Sequence, residues 1–386
     1  MLEKNTSYIE LNKEALQFNV NFLKSEMGEN VLISSVVKGN AYGHGIESYI
    51  PLAQECGLNH FCVYSAFEAK RVQKSLIKNA TILIMGYMSE KHIIWAIKNK
   101  IEFFVSNLAC LKTAIDYAKE LKSKCLIHLE LETGMHRTGL EEECIKEKVL
   151  PILLKEKEYY DLKGICTHFA GAEDITNYFR LRKQKENFIR IRNFIHDYGL
   201  REKYTHTSCS AAALRFKEMR YNMVRIGILQ YGFWPSPEIK IQYLLENGLE
   251  YFYLKRIITW KSKIIQVKTT PKGAFIGYGE AYRADAEMCV GIVPVGYANG
   301  YSRALSNSGT VLIHNKRALV LGNINMNLMI VDLRNIPEAA VGSEVILIGS
   351  QGNSEITVAS FGELSNQLNY ELLTRLPIDI PRNVVE

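Results

Sequence analysis

Residues Val36-Val37-Lys38-Gly39-Asn40-Ala41-Tyr42-Gly43-His44-Gly45 place one amine at the end of an apolar, β-branched run and at the start of a glycine-rich turn. Gly43 and Gly45 can take backbone angles that other residues avoid. A lysine so placed can attack a carbonyl, provided burial or neighbouring cations keep it neutral, because an unperturbed lysine titrates near about 10.4. The plain alternative is a surface lysine that closes a strand. Four more polar positions follow: Arg137 after Thr133-Gly134, His168, Ser210, and Arg225 in Arg225-Ile226-Gly227-Ile228. Each has an ordinary reading by itself, with Ser210 as a helix N-cap, Arg225 as the partner of a surface acid, and His168 as a core histidine bonded to backbone.

The elements that must position these residues alternate over residues 12–235. Strand-like runs near 31–37, 60–64, 81–85, 101–105, 125–131, 162–168, 204–208 and 223–230 are separated by helix-length amphipathic segments. Residues 109–122 are an example, with Leu111, Ala114, Ile115, Ala118 and Leu121 forming a stripe at helical spacing. Eight strands with intervening helices predict an α/β fold, a closed (β/α)8 TIM barrel rather than an open sheet. In such barrels chemistry gathers at the C-terminal strand ends, and phosphate binds after the seventh and eighth strands. Lys38 ends strand one, Arg137 follows strand five, His168 ends strand six, Ser210 follows strand seven, and Arg225 lies in strand eight. Five polar residues at one end of one barrel argue against five separate ordinary readings. Ser210 also precedes the alanine-rich residues 211–214, and the N-terminus of a helix there offers free donors to an anion. After residue 240 the texture becomes mostly β, with strands expected at 261–267, 288–295, 317–321, 329–333 and 345–348 and one helix at 357–368. The junction is expected at 235–242, where two prolines break the pattern.

Composition narrows the classes. Apolar residues at 47% and charged residues at 23% fit a globular protein. The net charge of +6 is spread along the chain, and the basic stretch 180–192 reads as a solvated helix face rather than a nucleic-acid site. Eight cysteines without a Cys-x-x-Cys pair, and an N-terminus unlike an export signal, point to a reduced cytoplasmic protein with no metal site. No apolar run reaches the roughly 18 residues of a membrane span.

A lysine at strand one facing a phosphate pocket suggests pyridoxal 5'-phosphate, with Lys38 forming a Schiff base to its aldehyde and Arg225 aimed at the pyridine nitrogen. Most such enzymes set a carboxylate there. An arginine donates a hydrogen bond but opposes protonation, which favours proton return over transamination. At these residues the chain resembles the bacterial alanine racemases, pyridoxal-phosphate enzymes of fold type III. The lysine segment is that family's signature with Gly39 where alanine is usual. Further matches are Thr133-Gly134-Met135, His168-Phe169-Ala170, Ser210-Ala211-Ala212, Met223-Val224-Arg225-Ile226-Gly227, Gly277-Tyr278-Gly279, Pro294-Val295-Gly296-Tyr297-Ala298-Asn299-Gly300-Tyr301 and Asn369-Tyr370-Glu371.

The resemblance implies a barrel over residues 12–238 and a β-rich domain from 1–11 and 239–386, in a head-to-tail homodimer with shared active sites. It assigns Lys38 to the cofactor aldehyde and to one catalytic base, and Tyr278 of the partner protomer to the base on the opposite face. A phenol titrating near about 10 must fall by roughly three units to act near neutrality, about 4 kcal/mol. His168 is implied in the hydrogen-bond chain that includes Arg225. Tyr42, Ser210, Gly227, Ile228 and Tyr370 match phosphate-binding positions. Arg137 and the backbone of Met326 match the groups holding the substrate carboxylate, and Tyr297 a residue narrowing the entrance; ordinary packing is the alternative for Met326 and Tyr297. The activity so implied is L-alanine to D-alanine interconversion for peptidoglycan.

Departures from the pattern bear on substrate range. Glu130 stands where several members carry a carbamylated lysine, and is expected to orient Arg137 by a charge-assisted hydrogen bond; the alternative is a solvent-facing glutamate. Asn327 replaces an aspartate, Cys209 an asparagine, and Asn325 a small residue. A racemase acting on serine or basic amino acids is therefore a second reading. A barrel decarboxylase would show a Gly-Gly phosphate loop, which is absent, and a non-catalytic cofactor carrier would lack the Tyr278 segment.

Overall fold

Runs apolar on both faces become the strands of a parallel barrel, because only a sheet covered on both sides buries them fully. A computed structural model of the chain describes residues 6–365 and 369–386. After β1 (Ser7–Asn12), eight strands form one sheet: β2 (Leu32–Val36), β3 (His60–Val63), β4 (Thr81–Ile84), β5 (Glu102–Val105), β6 (Cys125–Glu130), β7 (Tyr160–Cys166), β8 (Tyr204–His206) and β9 (Met223–Ile226). They pair in parallel in the order β8-β7-β6-β5-β4-β3-β2-β9. The seam between the two ends is bridged where Arg225 N–H donates to Ser208 O at 3.0 Å.

Helices fill the gaps, and their starts follow capping chemistry. Ser65 accepts from Glu68 N–H at 3.2 Å ahead of the helix Ala66–Ser75, and Asn107 from Cys110 N–H at 2.9 Å ahead of Leu108–Glu120. A helix, Pro237–Glu246, covers most of the expected junction at 235–242. Ser236 caps it through Ile239 N–H, and Pro237 sits in its first turn, where a missing N–H costs nothing.

The chain divides into two compact units. One holds Glu14–Lys38 and Ile50–Arg256, and the other Met1–Lys13, Gly39–Tyr49 and Ile257–Glu386. In the second unit β10 (Ile258–Lys263), β11 (Gln266–Thr270), β12 (Met288–Val293), β13 (Thr310–Ile313), β14 (Lys316–Leu321), β15 (Met329–Asp332), β16 (Glu344–Gln351), β17 (Ser354–Ile356) and β18 (Arg382–Val385) join β1 in one sheet. The strand expected at 261–267 is two strands: β10 pairs with β1 and β16, whereas β11 pairs with β12. The break falls at Ile264 and Ile265, whose N–H groups turn to Ser343 O and Ile292 O. The helix expected at 357–368 is Val358–Ser365; its last three positions lie outside the described residues. No helix among the described residues is long and apolar enough to cross a membrane.

Candidate active site

Lys38 lies two residues beyond the end of β2, and Val37 N–H between them is fixed to Cys62 O at 2.8 Å. Solvent reaches Lys38, yet the protein around its amine lowers its pKa by burial, and the Arg137 and Arg225 charges lower it further. The next four residues form a left-handed turn, with φ of 62°, 56°, 54° and 51° from Gly39 to Tyr42. Only single residues, chiefly glycine, visit this region routinely, so a turn of four needs outside support. Arg382 supplies it with Nη2 and Nε bonds to Gly43 O at 2.9 and 3.3 Å. The turn sets the Tyr42 ring 5.9 Å from that of Tyr370, bringing together two residues matched to phosphate binding.

Ser210 is not an N-cap. Cys209 holds that position of the helix Ser210–Arg215, and the Ser210 hydroxyl accepts from Gly227 N–H at 3.0 Å. That bond ties the helix after β8 to the exit of β9, where Gly227 precedes the 3-10 turn Ile228–Tyr231. First-turn N–H groups have no partner within their own helix, so two sets of amide donors are joined by a buried serine.

Among the described residues Arg225 has no acidic neighbour in contact, and it is 5% exposed, which removes the surface-pair reading. Its Nη1 donates to His206 Nδ1 at 2.5 Å and His206 O at 2.8 Å, and its Nη2 to Thr167 O at 2.7 Å and Thr207 O at 3.4 Å. Among the described residues Nε–H is its one donor without a bond. The hydrogen-bond chain containing Arg225 therefore runs through His206 rather than His168, because His206 ends β8 one strand away from β9 whereas His168 lies two residues beyond β7. His168 is half-buried, and burial, then Arg225, Arg137 and Lys38, push its pKa down to about 3, so it is neutral.

Glu130 is 6% exposed, which excludes the solvent-facing alternative. Its hydrogen bond comes from Thr138 Oγ1 at 3.1 Å, not from Arg137, whose side chain is exposed. The physical reason lies in Glu132, which draws the loop together by accepting N–H bonds from Gly134, from Met135 at 2.9 Å and from His136 at 2.8 Å. Burial raises the Glu130 pKa, opposed by the Thr138 bond and then by Arg225 and Arg137.

In the β-rich unit Tyr278 is 72% exposed between Gly277 and Gly279, both at positive φ, and its carbonyl accepts from Asn323 Nδ2 at 3.0 Å. Tyr297 N–H bonds Asn325 O at 3.1 Å and Ala298 N–H bonds Met326 O at 2.9 Å. The Ala298 bond fixes the Met326 peptide, whose N–H is the kind of group an anion needs. Missed in the sequence were Glu132 and the buried His206, His128 and Glu102; the usable signal, for His128 and Glu102, was a titratable residue in an otherwise apolar strand.

Family models described as alanine racemase, N-terminal domain, and alanine racemase, C-terminal domain, match residues 11–235 and 257–384. The chain is 33% identical to an alanine racemase of Leptospira interrogans, covering 100% of this chain and 97% of the relative. It is 35% identical to one of Halalkalibacterium halodurans, covering 97% and 94%. A crystal structure of alanine racemase from Bacillus anthracis with bound L-Ala-P superposes with a TM-score of 0.90 at 30% identity, covering 100% and 96%.

Proposed function

The chain belongs to the alanine racemase family, and from that premise we propose that it interconverts L-alanine and D-alanine with pyridoxal 5'-phosphate as cofactor. The observation that carries the reading is an amine of lowered pKa at the end of β2, under the charge of a buried guanidinium with one unspent donor. This donor set fits the cofactor. Lys38 suits its aldehyde, Arg225 Nε–H its ring nitrogen, and Ser210, Gly227 and Ile228 with Tyr42 and Tyr370 its phosphate. When bound, the cofactor supplies an electron sink that acidifies the α-hydrogen of an amino acid.

The chain's own residues supply the rest. Tyr278 of a second copy removes the α-proton from the L-enantiomer at its Oη, and Lys38 Nζ delivers one from the opposite face, with the roles exchanged in the other direction. A guanidinium only donates hydrogen bonds, so Arg225 holds a ring nitrogen without protonating it, which favours return of the proton to carbon. Arg137 and Met326 N–H hold the substrate carboxylate, Tyr297 narrows the entrance, and neutral His168 adds no further charge. Glu130 places a carboxyl behind the Arg137 loop.

In this reading residues 12–238 bind the cofactor, and 1–11 with 239–386 carry Tyr278 to the partner of a homodimer. The enzyme works in the cytoplasm, supplying D-alanine for peptidoglycan. Chiral chromatography after incubating the cofactor-loaded protein with L-alanine, L-serine, L-lysine or L-arginine tests the reading. Conversion of alanine far above the others is expected. Comparable conversion of the others would make Cys209, Asn325 and Asn327 determinants of a wider pocket, and no conversion would reject racemase activity.

A further inference from the structure

A chain of buried polar side chains crosses the barrel interior, where apolar layers are usual. It begins at Arg225 in β9 and passes to His206 Nδ1 in β8. His206 Nε2 meets His128 Nδ1 of β6 at 2.8 Å, and His128 Nε2 meets Glu102 Oε2 of β5 at 2.9 Å. His60 of β3 stands 3.6 Å from the same oxygen, an ionic rather than hydrogen-bonding distance, and its Nδ1 meets Ser34 Oγ of β2 at 2.8 Å. Six of the eight barrel strands contribute. His128 and His206 are 0% exposed, and Glu102 and Arg225 each 5%.

One proton arrangement satisfies the first three bonds. A guanidinium only donates, so His206 Nδ1 is bare and its proton sits on Nε2. His128 Nδ1 must then accept, which puts its proton on Nε2, and the chain ends on an ionised carboxylate that only accepts. Burial lowers the pKa of both imidazoles, aided at His206 by the Arg225 charge, so both are neutral. At Glu102 burial works against ionisation, but the His128 and His60 interactions outweigh it and hold the carboxyl well below its usual range.

We propose that Glu102 is a positioning residue for Arg225: through two neutral imidazoles of fixed tautomer it sets the guanidinium's rotation, spending Nη1 and Nη2 inside the barrel and leaving Nε–H for a ligand. The proposal rests on the reading that this ligand is the ring nitrogen of pyridoxal phosphate. A carboxylate touching Arg225 would compete for that donor. Three hydrogen bonds away, Glu102 balances the charge without occupying it.

The test uses protein with nitrogen-15 in its histidines, first free of cofactor and then loaded with pyridoxal phosphate labelled at the ring nitrogen. In the native protein both rings are expected as neutral Nε2–H tautomers near pH 7. In Glu102→Gln the amide can donate as well as accept; where it donates, both rings turn to Nδ1–H and Arg225 Nη1 loses its His206 acceptor, so tautomers mix, the cofactor ring-nitrogen signal moves, and kcat falls about tenfold while KM for alanine stays within about twofold. Glu102→Asp, still acceptor-only, restores the single tautomer in part. An Nδ1–H or cationic ring in the native protein overturns the proposal with no variant needed, as do histidine or ring-nitrogen signals unchanged in Glu102→Gln. If the histidines behave as expected but Arg225→Lys leaves the ring-nitrogen signal unmoved, the cofactor reading fails instead and takes the proposal with it.

Discussion

Glu130 carries a carboxyl that burial makes harder to ionise, and a single hydroxyl, Thr138, to hold it. A carboxyl whose pKa is raised on folding costs stability as pH rises through the window between its unfolded and folded values. Glu130→Gln keeps the shape and the Thr138 bond without the charge, so its Tm at pH 7.5 is expected to exceed the native value while turnover drops. An unchanged turnover would show that Glu130 has no influence on the Arg137 loop. The arginine across the site has the opposite character. Arg225 faces acceptors only, the carbonyls of Thr167, His206 and Thr207 and one imidazole nitrogen. Arg225→Glu would set a buried carboxylate against those oxygens, so urea titration is expected to show a loss of about 3 kcal/mol or more, not merely an altered reaction. Lys38 and Arg225 were legible in the sequence because each ends or interrupts an apolar run, and Ser210 because it follows a strand and opens an alanine-rich helix. His128 interrupts an apolar strand in the same way, while Glu102 opens β5 and His206 closes β8. Their partners depend on which strands face one another across the barrel, which one sequence does not carry.

The left-handed turn after β2 is an element held in place rather than preferred. Its two glycines at 39 and 43 are there for space as well as φ. A Cβ on Gly43 would lie 1.9 Å from Leu373 O, and one on Gly39 would lie 2.9 Å from Thr374 Cγ2. Backbone cannot retreat as a methyl can, so Gly43→Ala is expected to cost well over about 2 kcal/mol in urea unfolding, and Gly39→Ala only about 1 kcal/mol. Thr374→Ser removes the obstructing methyl and keeps the hydroxyl that bonds Tyr370 O at 2.7 Å. The double variant should therefore recover part of the Gly39→Ala loss; strict additivity would mean the methyl contact is not the cause. The sequence revealed Gly43 and Gly45 as turn residues but not a run through Asn40, Ala41 and Tyr42, because alanine and tyrosine carry no left-handed signal and a lone asparagine signals only a single residue there. The barrel strands were legible from their continuous apolar runs. Pro237 misled for the converse reason, since a proline that starts a helix and one that breaks a pattern look alike without the Ser236 cap in view.

Two histidines of strongly lowered pKa, buried His44 in one unit and half-buried His168 in the other, couple the stability of the whole chain to pH. Burial holds His44 and His168 to about 3, whereas in the unfolded chain they titrate near about 6.5. Between those values the unfolded state binds more protons, so stability is complete above about pH 6.5 and falls as pH drops, by up to about 1.4 kcal/mol per pH unit for each histidine. Urea midpoints at pH 7.5, 6 and 5 should decline in that order; a flat series would mean that neither histidine stays neutral in the fold. The proposed sharing of sites between two copies is tested at the same scale. Lys38 and Tyr278 belong to different units, and Tyr278, Met326 and Tyr297 are 72%, 57% and 43% exposed on one chain, a grouping of large apolar groups that association would cover. If each site takes Lys38 from one copy and Tyr278 from the other, Lys38→Ala and Tyr278→Phe proteins are each inactive but complementary. In a mixed twofold dimer one site holds both lesions and the other holds neither. Random mixing makes half the dimers mixed, so about a quarter of native activity should return after the two proteins are dissociated and reassociated. Sites built within single chains would recover nothing at any ratio, because every chain in the mixture carries a lesion.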